Sequence, residues 1–295
     1  MARRRFFVEE IRAGHARIEG DEAHHLTRVL RVEKGQKFEI SDDDSVYLAE
    51  VEAAHKSLVE FVVLERLACT ESAITVRLYA SLVRFERFEV IVEKATELGV
   101  SAVIPVIAER SEKGLEQAVS KRLTRWNRIA REASEQSRRI RLPRLEEPVL
   151  FSEALADTAP YRLFLDEAEA SPILTKLKTA DSIALLTGPE GGWTTRERAA
   201  AGDKWTPVSL GPQILKADTA AYRLFLDEAE APPILTKLKT PDSIALLTGP
   251  EGGWTARERA AAGDNWTPVS LGPQILKADT AALAALAIIN AWCAS

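Results

Sequence analysis

IALLTGPEGGWTARERAAAGDNWTPVSLGPQILKADT, residues 244–280, is the stretch that decides the fold class. Ile244–Thr248 is a short apolar run, and the glycines after it end it as a strand. Ala256–Ala262 reads as a helix and Pro268–Leu271 as a second strand. A second glycine loop then leads into the Ala/Leu-rich helix Thr280–Ala294. Strand and helix alternate, the pattern of an α/β fold with a mostly parallel sheet. The two loops are Thr248-Gly249-Pro250-Glu251-Gly252-Gly253-Trp254 and Leu271-Gly272-Pro273-Gln274-Ile275-Leu276-Lys277-Ala278-Asp279-Thr280. Glycine between a strand end and a helix start lets backbone approach a ligand closely. Two such loops at the carboxyl ends of neighbouring strands enclose one crevice. Neither is G-x-G-x-x-G nor a loop ending in Gly-Lys-Ser/Thr, which weighs against a nucleotide-phosphate cradle. Taken singly, either loop also reads as a tight turn.

Upstream of this stretch the chain repeats itself. Tyr161–Ala221 recurs as Tyr222–Ala282 with a period of 61 residues, and the copies differ only at Ser171/Pro232, Ala180/Pro241, Thr195/Ala256 and Lys204/Asn265. Each copy begins with a strand (Tyr222–Leu226 in the second) and a helix (Pro233–Lys239). Removing one copy leaves 234 residues that read as a complete two-domain protein, so the extra unit is expected to be an insertion. Its three apolar strands argue against a solvated loop, which would expose a large apolar patch. The second copy is expected to supply the working loops, because it runs directly into the terminal helix. The first copy carries the same residues as Thr187, Gly188, Pro189, Glu190 and Gly191, then Leu210, Gly211 and Leu215. A crevice that mixes the copies stays open as an alternative.

The N-terminal part reads differently. Phe38–Ser41 and Val46–Val51 flank the turn-like Asp42–Ser45 as a hairpin, and Leu58–Leu64 follows as another strand. Asp21–Leu30 reads as a short helix with Asp21 as its N-cap. Together these predict a small β-barrel over residues 1–70. Residues 71–295 form the α/β domain, with strands at Ile74–Ala80 and Ala102–Val106 and a helix at Arg84–Leu98 stopped by Gly99. A longer helix spans Leu115–Ser137, and Leu123, Trp126, Ala130 and Ala133 share one face of it.

The chain has 295 residues, is 46% hydrophobic and 28% charged, and carries a formal net charge of −5. That is an ordinary globular balance. No apolar run reaches the ~18 residues of a membrane helix, and Met1–Phe7 lacks the apolar core of a secretory signal. Cys69 and Cys293 stand far apart and no zinc spacing occurs, so a cytoplasmic, metal-free protein is expected. The charge is uneven. Eleven basic residues against four acids between Arg110 and Arg144 give a local excess of seven and leave the rest at −12. Nine of the eleven are arginine, whose planar fork suits phosphate. Arg3, Arg4, Arg5, Arg28 and Arg31 add a second basic region. An anionic partner accounts for this pattern, and so does a solvated helix face.

These motifs resemble the RsmE family of ribosomal RNA uridine-N3 methyltransferases in the knotted SPOUT superfamily. The resemblance rests on Thr-Gly-Pro-Glu-Gly-Gly and Ser-Leu-Gly-Pro-x-Ile-Leu-x-Ala-x-Thr-Ala-Ala. It extends to Arg5–Val8, Glu22–Arg31, Glu93–Val100, Glu109–Ser111 and Arg131–Arg139. Gln213 and Gln274, and Lys216 and Lys277, stand where the family commonly has Arg. The resemblance implies a PUA-like RNA-binding barrel, then a trefoil-knotted, homodimeric domain that binds S-adenosyl-L-methionine. It also implies methylation of N3 of a uridine in 16S ribosomal RNA of the 30S subunit. Under it, Leu226, Thr248–Gly253, Leu271–Pro273, Ile275 and Leu276 are the cofactor-binding candidates. Arg3, Arg5, Arg28, Arg31, Arg110, Arg138 and Arg139 are the RNA-binding candidates. Glu251 is a candidate general base or a loop-shaping acceptor, and Arg28 a candidate for stabilising charge on uracil oxygens. His24 and His25 read as cap or packing residues and Trp254 as packing. Two rivals are a catalytically impaired knotted RNA-binding protein and a chain made to study topology.

Overall fold

The computed structural model describes residues 4–69, 74–166, 171–172 and 181–209. The chain divides into two compact units, Met1–Glu71 with Ser134–Leu142, and Ser72–Ala133 with Pro143–Ser295.

The first unit contains β1 (Arg5–Phe7), β2 (Ile11–Arg12), β3 (His15–Glu19), α1 (Gly20–Arg28), β4 (Lys37–Ser41), β5 (Val46–His55) and β6 (Leu58–Leu67). They form one sheet in the order β1-β4-β5-β6-β3-β2, antiparallel except for the parallel β1–β4 pair. The expected β4–β5 hairpin is present. Asp42 Oδ1 accepts from the Ser45 and Asp44 amides at 2.8 and 3.2 Å, and Asp43 takes a left-handed φ of 68°. This is the side-chain-to-backbone turn that a run of aspartates supports. Phe6, Ile18, Leu26, Ile40, Val51 and Phe61 close the core. One local expectation is corrected. Asp21 does not cap α1: the N-cap position is Glu19, without a side-chain capping bond, and Asp21 lies in the first turn. There its carboxylate favours the helix dipole instead of bonding an end amide.

The segment after the long helix packs into this same unit. Ser41 Oγ donates to the Ile140 carbonyl at 2.6 Å, the Leu142 amide donates to Asp43 Oδ1 at 2.6 Å, and Arg141 pairs with Asp44 at 2.9 Å.

The second unit contains β7 (Thr75–Ser81), α2 (Phe85–Glu97), β8 (Ala102–Ile107), α3 (Val119–Ser137, whose end from Ser134 counts with the first unit), β9 (Arg144–Leu145), β10 (Val149–Leu150), α4 (Phe151–Ala154), β11 (Tyr161–Leu165), β12 (Ser171–Pro172), β13 (Ser182–Thr187), α5 (Thr195–Ala201) and β14 (Thr206–Ser209). The sheet runs β10-β8-β7-β13-β11-β14-β12, with β9 also paired to β8, and each of these pairs is parallel. A parallel sheet needs cover on both faces, and two clusters supply it. Leu78, Phe88, Ile91, Trp126 and Leu185 pack in one; Phe151, Phe164, Leu186, Trp193 and Trp205 pack in the other.

Gly99, at φ 100°, ends α2 as expected, and the Val100 amide returns to the Ala95 carbonyl at 3.0 Å. The helix expected from Leu115 begins with a 3-10 turn at Glu116–Ala118 before α3 starts. Trp126, Ala130 and Ala133 on its apolar face are buried. Within the first repeat copy, β11, β13, α5 and β14 stand where the strand and helix pattern predicts them. The second copy and the terminal helix lie outside the described residues.

Candidate methyl-donor loop

The carboxyl end of β13 carries Thr187-Gly188-Pro189-Glu190-Gly191-Gly192-Trp193, the first-copy version of the glycine loop. Several independent contacts fix its path. The Gly192 amide donates to the Pro189 carbonyl at 2.9 Å, with Gly192 at φ 66°, where a side chain would be strained. Trp193 is 2% exposed, stacks on Phe164 at 4.8 Å and donates Nε1–H to the Leu165 carbonyl at 2.8 Å. Its indole lies so close to Gly188 that an added Cβ would stand 3.0 Å from Cε2. Gly188 is therefore glycine because of the ring beside it.

The loop opens α5 through a reciprocal cap. Thr194 Oγ1 accepts from the Glu197 amide at 3.2 Å and Glu197 Oε2 accepts from the Thr194 amide at 2.9 Å. This is the Thr-x-x-Glu capping box. Glu197 is buried, and its other oxygen accepts from the Glu109 amide at 2.8 Å. Thr194 Oγ1 in turn donates to Glu109 Oε2 at 2.9 Å. Arg198 grips Asp166, after β11, through two bonds of 2.7 and 2.9 Å, and donates to the Trp193 carbonyl at 2.7 Å.

Two arginines from outside the repeat reach the loop. Arg87 of α2 forms an ion pair with Glu190. Arg110, beyond β8, donates from Nη1 to the Gly191 carbonyl at 2.7 Å. Arg87, Glu109, Asp166, Glu197 and Arg198 were not among the residues the sequence singled out for the site. The Thr-x-x-Glu pattern at Thr194–Glu197 is the local signal that could have marked one of them; the others depend on long-range packing.

The remaining candidates fall in different places. Arg28 and Arg31 are exposed in the first unit. Arg5 is 6% exposed. Its guanidinium engages Glu39 at 2.9 Å and the Arg138 carbonyl at 2.5 Å, so it is held within its unit and not presented at a surface. Arg139 is 8% exposed and donates to the Arg141 carbonyl at 3.0 Å; Arg138 lies 3.9 Å from Glu39. His24 and His25 sit on α1. Arg3, Leu210, Gly211, Leu215, Leu226, Thr248–Trp254 and Leu271–Leu276 lie outside the described residues.

Part of the basic helix is neutralised within the chain. Arg125 makes a two-pronged bond to Glu89 at 2.5 and 2.7 Å, and Arg122 stands over the Phe85 ring at 4.8 Å. The Arg125 hydrogen bond holds the Glu89 carboxyl below its ordinary range against the opposing effect of burial.

A family described as an RNA methyltransferase domain matches residues 70–225 and 221–290, and an RNA methyltransferase PUA domain matches 18–64. A Synechocystis protein named ribosomal RNA small subunit methyltransferase E is 38% identical over 209 residues, spanning 67% of this chain and 67% of its own length. A relative of the same name from Aquifex aeolicus is 30% identical over 224 residues, spanning 74% of this chain and 96% of its own. The crystal structure of a ribosomal RNA small subunit methyltransferase E from Neisseria gonorrhoeae, bound to S-adenosyl methionine, superposes with a TM-score of 0.69 at 28% identity, covering 76% of this chain and 95% of that one. A putative methyltransferase from Legionella pneumophila, solved with bound SAM, gives 0.72 at 26% identity over 76% and 96%. The order of units, the parallel sheet and the matched sequence agree, and the chain belongs to the ribosomal RNA small subunit methyltransferase E family.

Proposed function

We propose that this chain is an S-adenosyl-L-methionine-dependent methyltransferase acting on N3 of a uridine in 16S ribosomal RNA. The observation that carries this reading is the Thr187–Trp193 loop, fixed at the carboxyl end of a parallel strand by residues from α2, the segment after β8, and α5. The bound donor supplies an electrophilic methyl group. The protein's part is to hold donor and base in line, which can account for much of the acceleration. A paired uridine hides N3, so the base must be unpaired or turned out of its stack. Held by the Thr187–Trp193 loop, the donor would supply its methyl group to N3 and leave as the neutral thioether, with the N3 proton passing to water. Glu190 is engaged by Arg87, which supports a loop-shaping role for this carboxylate over that of a base.

The bracing of Thr187–Trp193 supports the first copy as the wall of the donor crevice, against the expectation from the sequence that the second copy supplies it. Glu190→Ala and Glu251→Ala, made separately and titrated with S-adenosyl-L-methionine in a calorimeter, decide between them. Glu190→Ala is expected to weaken binding by about tenfold, the order of one lost charged contact, and Glu251→Ala to leave it unchanged. The reverse result assigns the crevice to the second copy. Absence of donor binding in the unmutated protein overturns the reading itself.

The RNA reading has its own test. Exposed arginines that neutralise phosphates release counterions, so log K falls by about 0.7–0.9 for each phosphate contacted per decade of salt. Titrating a 16S stem–loop at rising salt is expected to show a slope steeper than about −2 on that scale. A flat response removes the basic residues from the interface. Homodimer assembly and a knotted second domain belong to the same reading, and light scattering checks the first.

A further inference from the structure

We propose that Arg110 is a positioning residue for the methyl-donor loop and not a phosphate contact; this rests on the function proposed above. Its Nη1 donates to the Gly191 carbonyl at 2.7 Å. Its stem lies along Gly191 so closely that an added Cβ there would stand 3.3 Å from Cδ and 3.4 Å from Cβ of Arg110. The peptide that follows, Gly191–Gly192, is therefore held at both poles. Its carbonyl is taken by Arg110, and its N–H by the Pro189 carbonyl at 2.9 Å.

The base from which Arg110 reaches is itself fixed. The Ala108 amide donates to Ser111 Oγ at 3.2 Å and the Ser111 amide to the Ala108 carbonyl at 3.1 Å. The adjacent Glu109 is tied to Thr194 and Glu197 on the far side of the loop. Arg87 holds Glu190, the neighbour of Gly191. Two consecutive loop residues are thus gripped by guanidiniums from two different elements.

A loop with three glycines among six residues has much backbone freedom to lose when a ligand orders it. Pinning one peptide plane in the free protein moves that loss from binding to folding, which tightens donor binding without touching the donor. Arg110 lies outside the repeat and occurs once.

The test uses the full-length chain. Arg110→Met keeps the stem and removes charge and donor; Arg110→Lys keeps the charge and loses the fork. Each is titrated calorimetrically with S-adenosyl-L-methionine, and with a 16S stem–loop at several salt concentrations, after thermal melting confirms that it folds. The positioning role predicts that Arg110→Met raises the donor Kd and KM by about tenfold, the scale of one charged hydrogen bond. It also predicts that kcat at saturating donor holds within about twofold and that the RNA salt slope does not change, with Arg110→Lys showing a smaller change of the same sign. A phosphate role predicts the opposite: unchanged donor affinity, and a salt slope reduced by about 0.7–0.9 in Arg110→Met but not in Arg110→Lys. That result overturns the proposal, as does unchanged donor affinity in both variants. If Arg110→Met fails to fold, the donor affinity of Arg110→Lys still separates the two roles: weakened under the positioning role, unchanged under the phosphate role. Failure of the unmutated chain to bind the donor counts against the proposed function instead.

Discussion

Trp126→Ala is expected to destabilise the protein by about 3–5 kcal/mol, the range for removing a large aromatic from a packed core. Trp126 is 0% exposed and joins α3 to α2: its ring stacks on Phe88 at 4.4 Å and meets Phe85 edge-on at 6.1 Å. It lies outside the repeat, so no second copy can take its place. Its indole Nε1–H is buried and has no hydrogen-bond partner among the described residues. An unmet buried donor carries a cost, which phenylalanine does not incur. Trp126→Phe is therefore expected to lose less than about 1.5 kcal/mol, because the smaller cavity is offset by the removal of the polar group. Urea unfolding followed by circular dichroism measures both variants. Equal midpoints for Ala and Phe would remove the stacking argument.

The second large effect concerns Asp157, in the turn before β11. Its carboxylate accepts two bonds from Arg77, at 2.8 and 2.7 Å, one from Tyr79 at 2.8 Å and one from the Ala159 amide at 2.6 Å. The side chain is 4% exposed. Asp157→Ala leaves the Arg77 charge and the Tyr79 hydroxyl without their acceptor, and about 3 kcal/mol is expected from breaking such a pair. Burial pushes the Asp157 carboxyl up, but the Arg77 and Tyr79 bonds and the Ala159 amide outweigh it and hold it below the usual range. Its contribution is present above the unfolded value near pH 4 and is lost as pH falls through the lower folded value. Tyr79 is pushed up to about 12, first by burial and then by its bond to Asp157. Its contribution is present below the unfolded value near pH 10 and is lost as pH rises through the folded one. Stability is thus expected to be flat between those limits with respect to this pair. Asp157→Asn should lose part of the acid limb, and Tyr79→Phe part of the alkaline limb, in melts recorded across pH.

Legibility in the sequence followed the range of the interactions. The β4–β5 hairpin, the stop at Gly99 and the apolar face of α3 were readable because each depends on neighbours a few residues away. Arg5 was misleading for the converse reason. Its partners Glu39 and Arg138 lie far along the chain, and nothing in an N-terminal Arg-Arg-Arg-Phe-Phe shows that the third arginine turns inward. The basic count over α3 likewise could not show that Glu89, on another helix, takes up Arg125. Asp21 misled by two residues, since an acid suits both a cap and a first helical turn, and residue type alone does not separate them. The glycine loop was legible as a loop, whereas its clamps were not, because Arg87 and Arg110 meet it only once β8, β7 and β13 lie side by side.

The segment Ser134–Leu142 belongs with residues 1–71, although 62 residues of the other unit intervene. During synthesis the nascent N-terminal sheet emerges from the ribosome long before that segment does. Ser41 and Asp43 have to wait, solvated, for Ile140 and Leu142 to be translated. A truncated product ending near residue 71 would consequently lack a built-in part of its own structure, and a message stalled there would yield an unfinished module.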